Sequence, residues 1–267
     1  MPYFNIVAET SENTVVTEYE PVKKRSDSYQ SEAELEQEFI RLLCEQGYEY
    51  LPIHTEKDLI ANLRKKLEEL NNYQFSDTEW DDFFKNAVAN PNEHIVEKTR
   101  KIQEDNVQVL TRDDGSSKNI TLIDKKNIHN NRLQVINQYK VNAFTENGAK
   151  HDNRYDVTVL VNGLPMVHIE LKRRGVAIRE AFNQINRYQR DSFWAGCGLY
   201  EYIQIFVISN GTNTKYYSNS TRWNAEKEHE KRGASKTKTS NSFEFTCFWA
   251  DANNRVIPDL IDFTKTF

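Results

Sequence analysis

An Asn-Gly pair at positions 162 and 163, set between two β-branched runs, constrains this chain more than any other feature. That dipeptide suits the positive φ angles of a tight hairpin turn, so the runs on either side are expected to pair as antiparallel strands. The runs are Arg154 to Val161 and Pro165 to Lys172, and a helical pattern follows at once. Their charges are out of place. Asp156 lies inside the first run, and Glu170 and Lys172 lie inside the second. A strand that otherwise reads as buried rarely holds charge without a partner or a purpose.

Side chains in a strand alternate between faces. On the second run Val167, Ile169 and Leu171 form an apolar face, leaving His168, Glu170 and Lys172 on the other. On the first run Tyr155, Val157, Val159 and Val161 share one face, with Asp156 and Thr158 opposite. Placing Asp156 across from Glu170 requires Val161 opposite Pro165 and a three-residue loop, Asn162-Gly163-Leu164. A strict two-residue turn instead sets Asp156 against Ile169 and splits the carboxylates between faces. The expectation is therefore a longer loop or a bulge.

Two carboxylates and an ammonium converging at a sheet edge suit phosphodiester hydrolysis. Hard oxygen ligands hold Mg²⁺, which polarises phosphate and acidifies water, and a lysine can orient that water or neutralise developing charge. A cross-strand Glu–Lys salt bridge on a solvated face is the plainer reading of the same spacing. The following helix, Ile178 to Gln189, adds Gln184 and Tyr188 at i and i+4, hence on one face.

An Asp, then Glu-x-Lys on the next strand, then Gln-x-x-x-Tyr on the next helix resembles the PD-(D/E)XK nuclease core in its RecB-like branch. The wording DVTVLVNGLPMVHIELKRRG with AFNQINRY and FVISNG (Phe206 to Gly211) is similar to the N-terminal nuclease region of the R (HsdR) subunit of type I restriction–modification enzymes. The early SYQSEAELEQEFIRLL (Ser28 to Leu43) and IDKKN (Ile123 to Asn127) extend the resemblance over most of the chain. It implies an α/β fold, a restriction-endonuclease-like core with a central mixed sheet flanked by helices and an inserted helical layer. It implies Asp156 and Glu170 as metal ligands for Mg²⁺, Lys172 as the catalytic lysine, and Gln184 and Tyr188 as a supporting pair near the DNA backbone. The family also has a glutamate on the helix beside the site, for which Glu36 is the candidate; an ordinary solvated glutamate is the alternative. The proline that precedes the first Asp in the signature is absent, since Tyr155 stands there.

At 267 residues, 38% hydrophobic and 28% charged, the chain can bury a sizeable core. No apolar run approaches the ~20 residues of a membrane span, and the first residues lack a charged-then-apolar signal. Cys44, Cys197 and Cys247 show no pairing by spacing, which fits a reducing cytoplasm. The histidines form no HExxH, and there is no CxxC, so zinc is not expected. The net charge of −5 runs against a stand-alone nucleic-acid binder. If the chain cuts DNA, something else delivers it.

In chain order, Asn5 to Ala8 and Thr14 to Glu18 read as an N-terminal hairpin, followed by a polar linker to residue 30. Ser31 and Glu34 form a capping box for a helix with Leu35, Phe39, Leu42 and Leu43 inward, ending at Gly47. Helices follow over Thr55 to Asn71, from Ser76 on (with Trp80, Phe83, Phe84 and Val88 as core), and over Glu93 to Gln103. Strands are expected at Val107 to Thr111, Asn119 to Asp124 and Leu133 to Tyr139, then a polar loop from Asn142 to Lys150. Beyond the Gln184 helix come a buried strand Tyr202 to Ser209, parallel to a site strand, and strands at Lys215 to Ser218 and Phe243 to Trp249. Glu226 to Asn241 reads as a charged surface loop, and Pro258 opens a short helix. The expected division is a hairpin and linker at 1–30, an endonuclease domain at 31–257 with a helical insertion at about 55–105, and a connection at 258–267.

No GxxxxGK[ST] loop occurs, so the family's ATP-driven motor is expected beyond residue 267. The resemblance implies non-specific cleavage of double-stranded DNA after translocation, with ATP used by the full-length subunit. It implies methyltransferase (M) and specificity (S) subunits as partners, and no membrane. A stand-alone RecB-like repair or defence nuclease and a non-enzymatic interaction module with a nuclease fold are the alternatives.

Overall fold

The computed structural model describes residues 5–9, 15–18, 30–144, 150–193, 195–219 and 242–266. A six-stranded mixed sheet forms its centre. Its strands are β3 (Glu49–Tyr50), β6 (Leu133–Phe144), β7 (Lys150–Val161), β8 (Leu164–Leu171), β9 (Ile205–Ser209) and β10 (Thr214–Ser218), in the spatial order β10-β9-β8-β7-β6-β3. The β8/β9 and β3/β6 pairs are parallel and the others antiparallel. Helix α5 (Ile178–Asp191) makes the crossover between β8 and its parallel neighbour β9. This is the α/β architecture the resemblance implies.

Each face of the sheet is covered. Helix α1 (Glu32–Glu45) starts at the expected capping box, with the Glu34 N–H donating to Ser31 Oγ and the Ser31 N–H donating to Glu34 Oε2. Its Leu35, Phe39 and Leu43 pack on Val135, Val157, Val159, Ile169, Leu171 and Val207 of one face. Fully burying each such leucine is worth about 1.5–3 kcal/mol. The C-terminal helix α6 (Leu260–Thr266) adds Leu260 and Phe263 to that core. The other face carries α5 and the expected insertion, which begins with α2 (Glu56–Asn71), capped by Thr55. Leu59, Leu63 and Leu67 of α2 are buried, while Leu70 is half-buried. Helix α3 (Asp77–Phe83) runs on into a π-helical turn at Phe84–Val88, and α4 (Ile95–Gln103) follows. Lys98 of α4 is buried and tied to the Gly198 carbonyl and to Glu201, so the insertion is pinned to the segment after α5.

Several boundaries differ from the sequence reading. Residues 142–144 and 150 are strand, not loop, because β6 and β7 continue pairing down to Phe144–Lys150; ladder bonds override the polar composition there. The separate hairpin β4 (Val107–Thr111) and β5 (Ser117–Thr121) closes earlier than Asn119 to Asp124. Phe243 to Trp249 is not one strand. Ser242–Phe245 forms a 3-10 turn that seats the Phe243 ring edge-on against Phe182 at 5.4 Å. Cys247 then bridges Tyr216, and β11 (Trp249–Ala250) pairs with β12 (Val256–Ile257). The N-terminal strands β1 (Asn5–Glu9) and β2 (Val15–Glu18) do pair as a hairpin. The loop Glu226 to Asn241 lies outside the described residues.

The Asn162-Gly163 turn resolves the register question differently from the loop first considered. Asn162 (φ 51°) and Gly163 (φ 85°) make a two-residue turn, with Val161 opposite Leu164, not Pro165. Both residues have the positive φ such a hairpin turn needs, so local turn chemistry wins. One residue of β8, Met166, is then inserted as a bulge between Leu160↔Pro165 and Val159↔Val167. From there to Val157↔Ile169 the pairing is displaced by one residue. The bulge does what the longer loop was expected to do.

Gly163 also lies against the backbone of α2. A Cβ built there would stand 2.6 Å from Leu63 Cα. Gly163→Ala combines that clash with a strained φ, so we expect a loss of about 2–5 kcal/mol, read by chemical denaturation. A loss within about 0.5 kcal/mol would show that the turn does not need this close approach.

Candidate active site

Continued one step past Val157↔Ile169, the displaced register sets Asp156 beside Glu170. The ladder opens there. The Leu171 N–H donates to Asp156 Oδ2 at 2.9 Å. On the other side β6 pairs Asn137 with Val157 and Tyr139 with Tyr155, skipping Gln138 and Asp156. Alternation breaks at this point, a departure from the simple strand period. Val157 belongs to the core under α1, whereas Tyr155, two residues away, belongs to the core under α5. Asp156 thus turns into a cleft of about 380 Å³ with Glu32, Ala33 and Glu36 of α1, together with Gln138, Arg154 and Leu171. The carboxyls meet through this local distortion of β7 and not through an ideal two-residue repeat.

Glu170 is fully buried. Lys172 Nζ donates to Glu170 Oε1 at 3.2 Å and to the Leu171 carbonyl at 3.0 Å. The other oxygen, Oε2, has no hydrogen-bond partner and lies 3.4 Å from His168 Nε2. Burial pushes the His168 imidazole down to about 4, so the ring is neutral and this approach is not an ion pair. Its walls are aromatic, with Tyr155, Phe193 and Tyr188 around the ring at 5.5, 5.6 and 6.1 Å. Sequence reasoning placed His168 on the Glu170 face but gave it no part in the site; its depth follows from α5 and the Phe193 segment, which the strand pattern does not reveal.

Burial pushes both Asp156 and Glu170 above the ordinary carboxylate range. For Asp156 the neighbouring Glu170 charge adds to burial, and the Leu171 N–H and Lys172 offset part of the rise. For Glu170 the main offset is Lys172. Two crowded carboxylates, one with an uncommitted oxygen, call for positive charge. Among the described residues no group of three or more His, Cys, Asp and Glu side chains is arranged to hold a metal ion. The oxygen donors of Asp156 and Glu170 nevertheless fit a hard divalent cation whose remaining ligands are water or substrate oxygens.

Gln184 and Tyr188 do come together on α5. Gln184 Nε2 donates to the Tyr188 hydroxyl, which donates to the Arg154 carbonyl at 2.9 Å. Tyr188 is buried, so the pair braces the β7 backbone two residues before Asp156 from inside and does not face the open cleft. Glu36 is also buried. It accepts from Asn137 Nδ2 at 2.6 Å and from Gln138 Nε2. A larger cavity of about 690 Å³ lies on the other side of Arg154, between His54, Tyr139 and Tyr200, and contains neither site carboxylate.

A family model described as type I restriction enzyme R protein N terminus matches residues 29–225. The chain is 47% identical over 262 residues to the type I restriction enzyme EcoprrI endonuclease subunit of Escherichia coli, covering 98% of this chain and 77% of that protein. It is 36% identical over 244 residues to the SsaAORF53P endonuclease subunit of Staphylococcus saprophyticus, covering 90% of this chain but only 23% of the relative. A putative MjaIXP endonuclease subunit of Methanocaldococcus jannaschii matches at 34% over 121 residues, or 44% of this chain and 11% of that one.

The buried carboxyls fix the pH dependence of stability. Their folded-state values are raised above 3.8 and 4.5, so the stability they contribute is complete in acid and lost as pH rises through the raised values. His168 runs the other way. Lowered from 6.5 to about 4, it contributes stability that is complete above 6.5 and lost as pH falls below that. From 6.5 toward about 8, therefore, the carboxyls dominate among these three groups. The thermal midpoint of the metal-free chain should fall over that range, and Asp156→Asn should flatten the fall. Equal slopes for the two proteins would show that Asp156 is not held protonated by its surroundings.

Proposed function

The chain belongs to the family of type I restriction enzyme R protein N termini, and from that premise we propose that it is the DNA-cleaving domain of such an enzyme. Asp156, Glu170 and Lys172 are the residues to which we assign phosphodiester hydrolysis. The supporting observation is their convergence where β7 and β8 part, with two carboxyls crowded together and one lysine bonded to Glu170. In this reading residues 31–257 form the nuclease domain, and residues 258–267 lead toward an ATP-driven motor.

Asp156 and Glu170 would hold Mg²⁺, with the Leu171 N–H fixing one Asp156 oxygen. When bound, the cation supplies Lewis acidity toward a phosphate oxygen and toward water. Lys172 keeps its ammonium at the cleft, where it can donate to the attacking water or to a phosphate oxygen that gains charge. Crowding and burial hold protons on Asp156 and Glu170 in the metal-free chain, and the two carboxyls would give those protons up on holding a cation. Tyr188 and Gln184 work from beneath, holding the Arg154 carbonyl and with it the run into Asp156.

The site has no means of reading sequence in this scheme. The family supplies that through separate specificity and methyltransferase subunits, and cutting follows translocation driven by ATP elsewhere in the R subunit. A net charge of −5 supports delivery by other parts, since the chain as a whole carries more acid than base and gains little from phosphates without help. Double-stranded DNA in the cytoplasm is the substrate of this reading.

In the full-length R subunit assembled with its partners, Asp156→Ala, Glu170→Ala and Lys172→Ala should each lower DNA cleavage by roughly 100-fold or more while ATPase persists. Unchanged cleavage in all three removes the assignment. Tyr188→Phe, which deletes the hydroxyl shared by Gln184 and the Arg154 carbonyl, should cost less, roughly tenfold.

A further inference from the structure

Gln138 holds a backbone conformation that its type seldom adopts. Among the described non-glycine residues with positive φ, Asn72 ends a helix and Asn162 and Asn254 sit at turns, but Gln138 (φ 54°) lies inside strand β6. Asparagine tolerates the left-handed region through its short side chain; glutamine has no such advantage. Such an outlier persists only where its surroundings over-determine it, and these outliers gather at functional sites.

Its consequences all fall on one place. The skipped rung of the β6–β7 ladder is the one between Gln138 and Asp156. Because the strand does not alternate there, Asn137 and Gln138 both reach α1 and both donate to Glu36, one to each carboxylate oxygen. Tyr139, next in sequence, returns to the opposite core. Gln138 also lines the cleft with Glu32, Glu36 and Asp156, and its buried Oε1 accepts no hydrogen bond from a described residue.

We infer that Gln138 is a positioning residue, whose left-handed backbone and side-chain amide fix Glu36 in the wall of the cleft that Asp156 also lines. The inference rests on the nuclease reading of Asp156, Glu170 and Lys172. A carboxylate that already accepts two amide donors is oriented before any cation or phosphate arrives, and orientation of this kind is what supporting residues give a metal site. Two amides are needed because Glu36 is buried, and a single donor would leave one oxygen unsatisfied.

The test uses Gln138→Gly, which relieves the backbone and removes the amide. Relief of the backbone offsets part of the lost hydrogen bond to Glu36, so the variant should stay folded with a thermal midpoint within a few degrees of the parent. DNA cleavage by the assembled enzyme should fall roughly 10- to 100-fold, and Mn²⁺ titrated calorimetrically into the chain should bind more weakly by a similar factor. Glu36→Gln should show comparable losses, and the double variant should lose no more than either alone. Should Gln138→Gly not fold, Gln138→Asn, which tolerates the left-handed backbone but carries its amide one methylene short of Glu36, takes its place in the same cycle. Parental cleavage and Mn²⁺ affinity in the Gln138 variant, or losses that multiply in the double variant, overturn the proposal. Asp156→Ala run alongside keeps the two readings apart. Normal cleavage there removes the site itself, whereas lost cleavage there with normal Gln138 variants removes the positioning role alone.

Discussion

One inserted residue, Met166, governs how the two site strands meet. The Asn162-Gly163 turn enforces its own register on the first rungs, and that register alone would divide the carboxyls between different neighbours. The bulge corrects it before the strands reach Asp156. The contacts around Asp156 follow from that correction. It lets Leu171 donate to Asp156 and sets Asp156 beside Glu170, which Lys172 meets along its own strand, and it keeps Val167, Ile169 and Leu171 under α1. A slip by one residue here would exchange a packed face for a charged one, so core burial and site geometry depend on the same register.

The arrangement costs stability. Glu170 is fully buried beside a second carboxyl, and His168 is buried without a hydrogen-bond partner. Aromatic packing around Tyr155, Tyr188, Phe193 and Tyr200 encloses them, with ring centroids 4.6 to 6.0 Å apart. That packing lowers the local dielectric and strengthens every charge in the cleft. Crowded acids at this depth are far from the environment of a solvated surface pair. The plainer reading of the Glu170–Lys172 spacing, a salt bridge on an open face, does not fit a glutamate with no exposed surface.

Much of this was legible in the residues because the signals are local. Ser31 with Glu34, and Ser76 with Glu79, cap their helices as written. The leucines of α2 fall at helical spacing, and Asn-Gly makes its hairpin. What escaped is non-local. The end of β6 reads as a polar loop, yet its backbone bonds to β7 hold it in the sheet. The strand period places Tyr155 with Val157, but the distortion at Gln138 and Asp156 sends them to opposite cores. Spacing puts Gln184 and Tyr188 on one helix face; only the packing of α5 on β7 shows that the tyrosine points inward to the Arg154 carbonyl.

Hairpin turns ordinarily sit in water and close early, because their contacts are nearly all between sequence neighbours. This one is buried. Asn162 donates to the Leu122 carbonyl and to Asn131, accepts from the Arg132 N–H, and is followed by a glycine seated on Leu63. Its completion therefore waits on residues 30 to 100 positions upstream in sequence. Loop closure over such distances is the slow part of folding. A half-folded chain thus has Asp156, Glu170 and Lys172 in sequence but not in register, and the geometry around them arrives late, with the last of the long-range contacts.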